Sequence, residues 1–343
     1  MAKVLKTKEF LEMGKSIPII DVRTPAEFKE GHIPGAFNIP IFTNEERVLV
    51  GTKYKRESKD AAVLLGLELV GSKLTSFVNA AMEYAVQKEI MVHCWRGGMR
   101  SGSMAWLFET AGCKVYVLEG GYKAYRRYIR QQFTEKSELL VLGGMTGSGK
   151  TAVLHEMKKL GAQILDLEGI AHHKGSVFGS LGQLEQPSNE NFENLLANVW
   201  LDLDPNQAIW IEDESKSIGS VWINDALFRR MRQSDVIQIQ VPKSERIKRL
   251  VKEYACFDAE VLAQMILKIG KRLGGQNVTL ATESLVKGDY ATAANISLNY
   301  YDKAYKHGLS KREGQTIHYL ELDKDDPKEN AKKVIAYYNS LKK

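Results

Sequence analysis

Cys94 stands in the run His93-Cys94-Trp95-Arg96-Gly97-Gly98-Met99-Arg100-Ser101, just after an apolar segment and just before one with helical spacing. A thiol placed there meets backbone N–H groups and the positive end of a helix, which favour its thiolate and attract an anion. Gly97 and Gly98 let the backbone curl around a bound group, and Arg96 and Arg100 bring positive charge to it. A cysteine flanked by two arginines, two glycines and Ser101 is not in apolar company, so it reads as reactive. The candidate catalytic set is Cys94, Arg96, Gly97, Gly98, Arg100 and Ser101. Cys113 leads into an apolar strand and Cys256 lies between Tyr254 and Phe257, so both read as structural. An odd count of three, with no C-x-x-C pair, argues against a disulfide framework or a cysteine zinc site.

A second chemistry-bearing run is Gly144-Met145-Thr146-Gly147-Ser148-Gly149-Lys150-Thr151, which satisfies G-x-x-x-x-G-K-[ST] between an expected strand and an expected helix. In that context the backbone of Gly144, Thr146, Gly147, Ser148 and Gly149 cradles phosphates, Lys150 neutralises them and Thr151 is a candidate Mg²⁺ ligand. The apolar run Ile209-Trp210-Ile211 ends in Glu212-Asp213-Glu214, and Asp213 is chosen there as the second candidate Mg²⁺ ligand, with Glu212 and Glu214 as alternatives. A phosphate cradle does not by itself imply ATP hydrolysis, since any diphosphate can dock in one.

Both loops need strands before them and helices after them. Short apolar runs predict strands at 17–23, 90–93 and 114–118, then at 139–142, 163–167, 208–211, 236–241 and 317–322, with helical segments between. Strand, loop, helix, strand is a βαβ rhythm, so the expected class is α/β: a parallel-sheet domain over 1–133, then a P-loop parallel-sheet domain with helical C-terminal elements over 134–343. The boundary is placed in the polar run Thr134-Glu135-Lys136-Ser137-Glu138. Periodicity does not make the role of 42–89 legible. At 343 residues, 44% hydrophobic and 26% charged, the composition excludes disordered, fibrous and membrane classes. Met1 to Lys15 lack the apolar core of a signal peptide and no later run is long enough to cross a bilayer, so a cytoplasmic protein is expected. The net charge of +6 is gathered in clusters at Lys123 to Arg130, Arg229 to Arg232 and Lys268 to Arg272, which could track a phosphate backbone.

The segments Asp21-Val22-Arg23-Thr24-Pro25-Ala26-Glu27-Phe28, Gly31 to Pro40 and Val117-Leu118-Glu119-Gly120-Gly121-Tyr122 resemble the opening and closing signatures of rhodanese domains over about residues 5 to 130. That resemblance implies a loop cysteine that carries sulfur, with Asp21 and Arg23 as scaffold. Five residues separate Cys94 from Arg100 rather than the four usual in sulfur-transferring rhodaneses, and the longer loop resembles that of rhodanese-fold phosphatases, which accept a tetrahedral oxyanion.

The fusion of such a domain to a P-loop domain resembles one family, bacterial tRNA 2-selenouridine synthase. His173-Lys174-Gly175-Ser176-Val177-Phe178-Gly179, Glu212-Asp213-Glu214-Ser215 and Asn299-Tyr300-Tyr301-Asp302 look like its further motifs. The resemblance implies replacement of sulfur by selenium in the wobble 2-thiouridine of tRNA, with selenophosphate as donor and an S-geranylated intermediate made from geranyl diphosphate. Cys94 would then attack selenophosphate or carry the selenium, and Lys150 and Thr151 would stabilise the departing diphosphate. Expected partners are tRNA and a supplier of selenophosphate, with no membrane and no covalently bound cofactor. Tyr54, Trp95, Arg126, Arg127, His173 and Lys174 are the candidate tRNA contacts. Three rivals stand beside this reading: a rhodanese-fold phosphatase or sulfurtransferase, a P-loop kinase that uses the basic segment Lys243 to Arg249, and a module that only senses ligands.

Overall fold

Apolar runs too short for a helix become the strands of two parallel sheets in this computed structural model, which describes residues 2–134, 137–312 and 314–342. The chain divides into two units, Met1–Gln132 and Phe133–Lys343; Glu135 and Lys136, within the polar run expected to join them, lie outside the described residues.

The first unit runs β1 (Lys3–Leu5), α1 (Thr7–Met13), β2 (Ile19–Asp21), α2 (Pro25–Glu30), β3 (Phe37–Asn38), α3 (Asn44–Arg56), α4 (Lys59–Gly71), α5 (Leu74–Tyr84), β4 (Glu89–His93), α6 (Met99–Thr110), β5 (Lys114–Leu118) and α7 (Gly121–Gln132). Its sheet has the order β1-β5-β4-β2-β3, and every pairing is parallel. Strands β2, β4 and β5 are buried almost throughout, as strands covered on both faces must be. Ile20, Val92 and Val115 share a core with Phe108 of α6 and Phe77 and Ala81 of α5. Helix α2 starts on a capping box, Thr24 with Glu27, and has Pro25 in its first turn, where the missing N–H costs nothing. The stretch 42–89 is three helices. It resists a periodic reading because α4 is apolar on most of its surface, with Leu64 and Leu67 well exposed.

The second unit runs β6 (Leu139–Gly144), α8 (Lys150–Lys159), β7 (Gln163–Leu165), α9 (Leu167–Ala171), α10 (Asn189–Leu201), β8 (Ile209–Glu212), β9 (Ser217–Ile218), β10 (Val221–Trp222), α11 (Asp225–Gln233), β11 (Val236–Gln240), α12 (Lys243–Tyr254), α13 (Ala259–Lys268), α14 (Gly270–Leu273), α15 (Gly275–Val286), α16 (Tyr290–Ser310), β12 (Ile317–Glu321) and α17 (Pro327–Leu341). The sheet order is β12-β11-β6-β8-β7, all parallel, and β9 and β10 form a separate antiparallel ribbon. β6 is central and the chain leaves it first to one side and then to the other, so the P-loop at its carboxyl end occupies the switch point where α/β sheets bind ligands. Leu140, Leu142 and Ile239 pack with Val153 and Leu154 of α8 and Val334 of α17, whereas α13, α15 and α16 enclose a second apolar cluster of their own. Among the described residues no single helix is long and apolar enough to cross a membrane; α4 and α5 pass that test only as a pair, bent by 68°.

Candidate functional site

Because β4 stops at His93 and α6 begins at Met99, Cys94 sits at the base of the loop that joins them, 3% exposed. Its Sγ lies 3.2 Å from Ser101 Oγ. Burial works against the thiolate, but the Ser101 hydroxyl and the backbone N–H groups of Arg96, Ser101 and Gly98 outweigh it, and the thiol titrates below its ordinary value. Gly97 and Gly121 both have positive φ, at 66° and 60°. A Cβ on Gly121 would collide with the Cys94 carbonyl oxygen and lie 2.5 Å from the Gly97 nitrogen. The closing run Leu118 to Tyr122 therefore forms the floor of the cysteine loop: Tyr122 N–H donates to Cys94 O at 2.8 Å and Lys123 N–H to Trp95 O at 3.0 Å.

Beneath the loop Arg23 and Asp21 form a fully buried ion pair at 2.6 Å, and the Arg23 guanidinium lies 3.7 Å from the Tyr122 ring centroid. This agrees with a scaffold role. Arg96 is exposed at the loop. Arg100, expected to face the bound oxyanion, instead donates to both Glu27 carboxylate oxygens, at 2.7 and 3.3 Å. Burial would raise the Glu27 pKa, but the Arg100 hydrogen bond and charge hold it below the usual carboxylate range.

In the second unit Gly147 and Gly149 have φ near the left-handed region, at 77° and 76°, and carry the loop into α8. A Cβ on Gly149 would meet the Arg249 guanidinium, 2.7 Å from its nearest nitrogen, so that cation lies directly against the cradle. Ser148 Oγ is buried with no hydrogen-bond partner among the described residues, which suits a donor reserved for a phosphate oxygen. Burial alone would discharge Lys150, but Glu214, Glu168, Asp213 and Glu212 outweigh it and raise its pKa. The same burial, with Glu168 and Asp213 nearby, pushes Glu214 up to about 8 despite Lys150. Glu212, also pushed up by burial, is turned away from the cradle and accepts from the N–H groups of Leu167 and Glu168 at the start of α9.

The structure changes the choice of acidic partner. Both carboxylate oxygens of Asp213 are engaged, by Arg312 at 2.7 and 2.9 Å, Arg232 at 3.1 Å and the Tyr305 hydroxyl at 2.7 Å. Thr151 Oγ1 instead donates to Glu168 Oε2 at 2.6 Å, which sets two hard oxygen donors side by side. A Mg²⁺ that keeps several waters and takes substrate phosphate oxygens fits Thr151 and Glu168 better than Thr151 and Asp213. Among the described residues no group of three or more His, Cys, Asp or Glu could hold a metal alone. Sequence reading missed Glu168 and Tyr305, which reach the cradle only through the fold, and it met Arg246 and Arg249 only as part of the basic segment Lys243 to Arg249 of the rival kinase reading. A further signal was the run Asn299 to Asp302. Asn299 accepts from Lys243, Tyr300 from Arg272, Tyr301 from the Val177 N–H, and Asp302 takes Arg246 in two bonds at 2.7 and 2.8 Å, while Arg246 also donates to Thr146 O.

The candidate tRNA contacts are not equivalent. Tyr54 on α3 is 59% exposed and Arg127 on α7 is exposed, whereas Arg126 is buried and is no surface cation. Trp95 is half-buried, 5.7 Å from the Tyr122 ring. His173 is buried, which lowers its pKa, and Lys174 lines the phosphate cleft near Glu253. The cluster at 229–232 also turns partly inward, with Arg230 on the carbonyls of Phe133 and Ser137 and Arg232 on Asp213.

Comparison with known proteins fits both units. Residues 5–128 match the rhodanese-like domain and residues 137–324 match the tRNA 2-selenouridine synthase AAA domain. A tRNA 2-selenouridine synthase of Nitrosomonas europaea is 39% identical over 86% of this chain and 90% of that protein, and one of Shewanella sediminis is 35% identical over 88% and 90%. A crystal structure of an N-terminal domain from Clostridium difficile 630 is 42% identical over 37% of this chain and 98% of that one, with a TM-score of 0.35.

Proposed function

The chain belongs to the tRNA 2-selenouridine synthase family, a family of tRNA-modifying enzymes, and from that premise we propose that it replaces sulfur by selenium in the wobble 2-thiouridine of tRNA in two steps. In the first, the thiouridine sulfur attacks C1 of geranyl diphosphate, the C–O bond breaks, and the diphosphate leaves into the cradle of Gly147 to Thr151. Lys150 stabilises the charge that develops on it, and Mg²⁺ held by Thr151 and Glu168 would supply further electrostatic stabilisation.

In the second step selenophosphate meets Cys94. Moving its selenium onto Sγ as a selanylcysteine would expel phosphorus as P(III) phosphite, and release of phosphate in its place would need a separate two-electron oxidant. Attack of the Cys94 thiolate on phosphorus needs none: the S–P bond forms, the P–Se bond breaks, and selenide departs with the electron pair. Selenide adds to C2 of the S-geranylated uridine and expels geranyl thiolate, and water then releases phosphate from Cys94. A loop that lowers the thiol pKa and so favours the thiolate suits this role, and exposed Arg96 is positioned to attract the donor.

The observation that carries this reading is the presence in one chain of a thiolate-favouring cradle and a phosphate cradle, each at the end of a central parallel strand. The test is mass analysis of nucleosides from thiolated tRNA incubated with the protein, geranyl diphosphate and selenophosphate. S-geranyl-thiouridine is expected with the first substrate alone and selenouridine with both; thiouridine unchanged in every combination overturns the proposal.

A further inference from the structure

Beside the phosphate cleft of the second unit lies a narrow apolar cavity whose walls come from α12, α13, α15 and α16. Thr146 of the P-loop, Ser176, Leu250, Tyr254 and Tyr301 line both spaces, so the cavity opens at the cradle itself. Polarity falls away from that mouth. Deeper lining is by Leu262, Ile266, Leu285, Ala293 and Leu298, all buried. Two polar groups along it are already engaged: Ser297 Oγ donates to Ala293 O at 2.9 Å and the Tyr301 hydroxyl accepts from Val177 N–H at 3.1 Å.

A nucleobase carries ring nitrogens and exocyclic groups that need partners, and burying them unpaired is costly. This cavity suits a ligand with nothing to hydrogen-bond. We propose that it is the tail subsite of the P-loop ligand: the cradle takes the diphosphate head of an isoprenoid diphosphate and the cavity between α12, α13, α15 and α16 takes its hydrocarbon chain. The cavity's depth then selects chain length, with Leu298 and Leu285 among the residues that limit it. This rests on the reading that geranyl diphosphate is the ligand of the P-loop, and it accounts for why these helices hold an apolar cluster separate from that of the sheet.

The test is calorimetric binding of inorganic diphosphate, geranyl diphosphate and farnesyl diphosphate to the full-length protein and to two variants of the cavity wall, Ala294→Phe and Leu298→Ala. Each buried methylene contributes roughly fourfold in affinity. Wild type should therefore bind geranyl diphosphate at least about a hundredfold more tightly than inorganic diphosphate. Ala294→Phe should leave inorganic diphosphate unchanged and weaken geranyl diphosphate by about tenfold or more. Leu298→Ala should move the preference toward farnesyl diphosphate, and it carries the test if Ala294→Phe does not fold. Unchanged affinity for both isoprenoids in folded variants overturns the tail subsite and leaves the geranyl diphosphate reading standing. Equal binding of geranyl and inorganic diphosphate by wild type overturns both.

Discussion

The Ser101 hydroxyl has one proton and two acceptors within reach, Gly98 O at 3.1 Å and Cys94 Sγ at 3.2 Å. When Cys94 ionises, the charged sulfur is the stronger acceptor, so the proton turns to it. The thiol pKa is depressed, so the thiolate persists above that depressed value and reactivity is lost only as pH falls through it. Ser101→Ala removes the leading favourable contribution, and a hydrogen bond to a charged acceptor is worth about 1.5–3 kcal/mol. Alkylation of Cys94 by iodoacetamide at neutral pH should slow by about tenfold, with the acid limb of its pH profile displaced upward and equal rates at high pH. An undisplaced limb would show that the backbone N–H groups suffice. Glu214 behaves in the opposite sense. With its pKa raised from 4.5 to about 8, it is neutral beside Lys150 below that pH and becomes an anion in the cradle above it. Affinity for inorganic diphosphate should fall as pH rises through about 8, and more steeply in wild type than in Glu214→Gln. The ligand's own protonation is common to both proteins, so parallel profiles would exclude Glu214 as the source.

At the scale of elements, the turn from β5 into α7 decides the shape of the cysteine loop. Gly121 combines positive φ with backbone crowding, whereas Gly35 has positive φ, 81°, and nothing within 4 Å of its absent Cβ. Gly35→Ala should lose about 1–2 kcal/mol from the left-handed conformation alone. Gly121→Ala should lose more, because the new methyl group must push Cys94 or Gly97 aside, and should lower Cys94 reactivity as well as the unfolding temperature. Equal losses in the two variants would mean that the loop yields without harm. This also marks what was legible. Val117 to Tyr122 is readable as a closing motif, but that its glycines face the Cys94 carbonyl follows only from the pairing of β4 with β5. Likewise Arg100 and Glu27 lie 73 residues apart and meet only because α2 and α6 flank the same sheet.

At the scale of the whole molecule, the order of strands and helices could be read from the chain because every central strand is an apolar run bounded by turns. The helices α13 to α16 could not be assigned a role in that way, since their apolar residues face one another around a cavity and not the sheet. Two units with separate cores and separate cradles also predict separable chemistry. Cys94→Ala should still convert thiouridine to its S-geranyl form and accumulate it, with selenouridine absent from the nucleoside profile. Lys150→Ala should accumulate nothing, because the diphosphate leaves without its buried counter-charge; loss of one such electrostatic donor costs about 10²–10³ in rate. If pre-geranylated tRNA is supplied, Lys150→Ala should regain selenium incorporation while Cys94→Ala should not. Cys94 should alkylate at the wild-type rate in Lys150→Ala, provided the unfolding temperature shows that its second unit is intact. Failure of Lys150→Ala to use pre-geranylated tRNA, in a protein whose Cys94 still alkylates normally, would mean that the P-loop also serves the selenium step and that the division by unit is wrong.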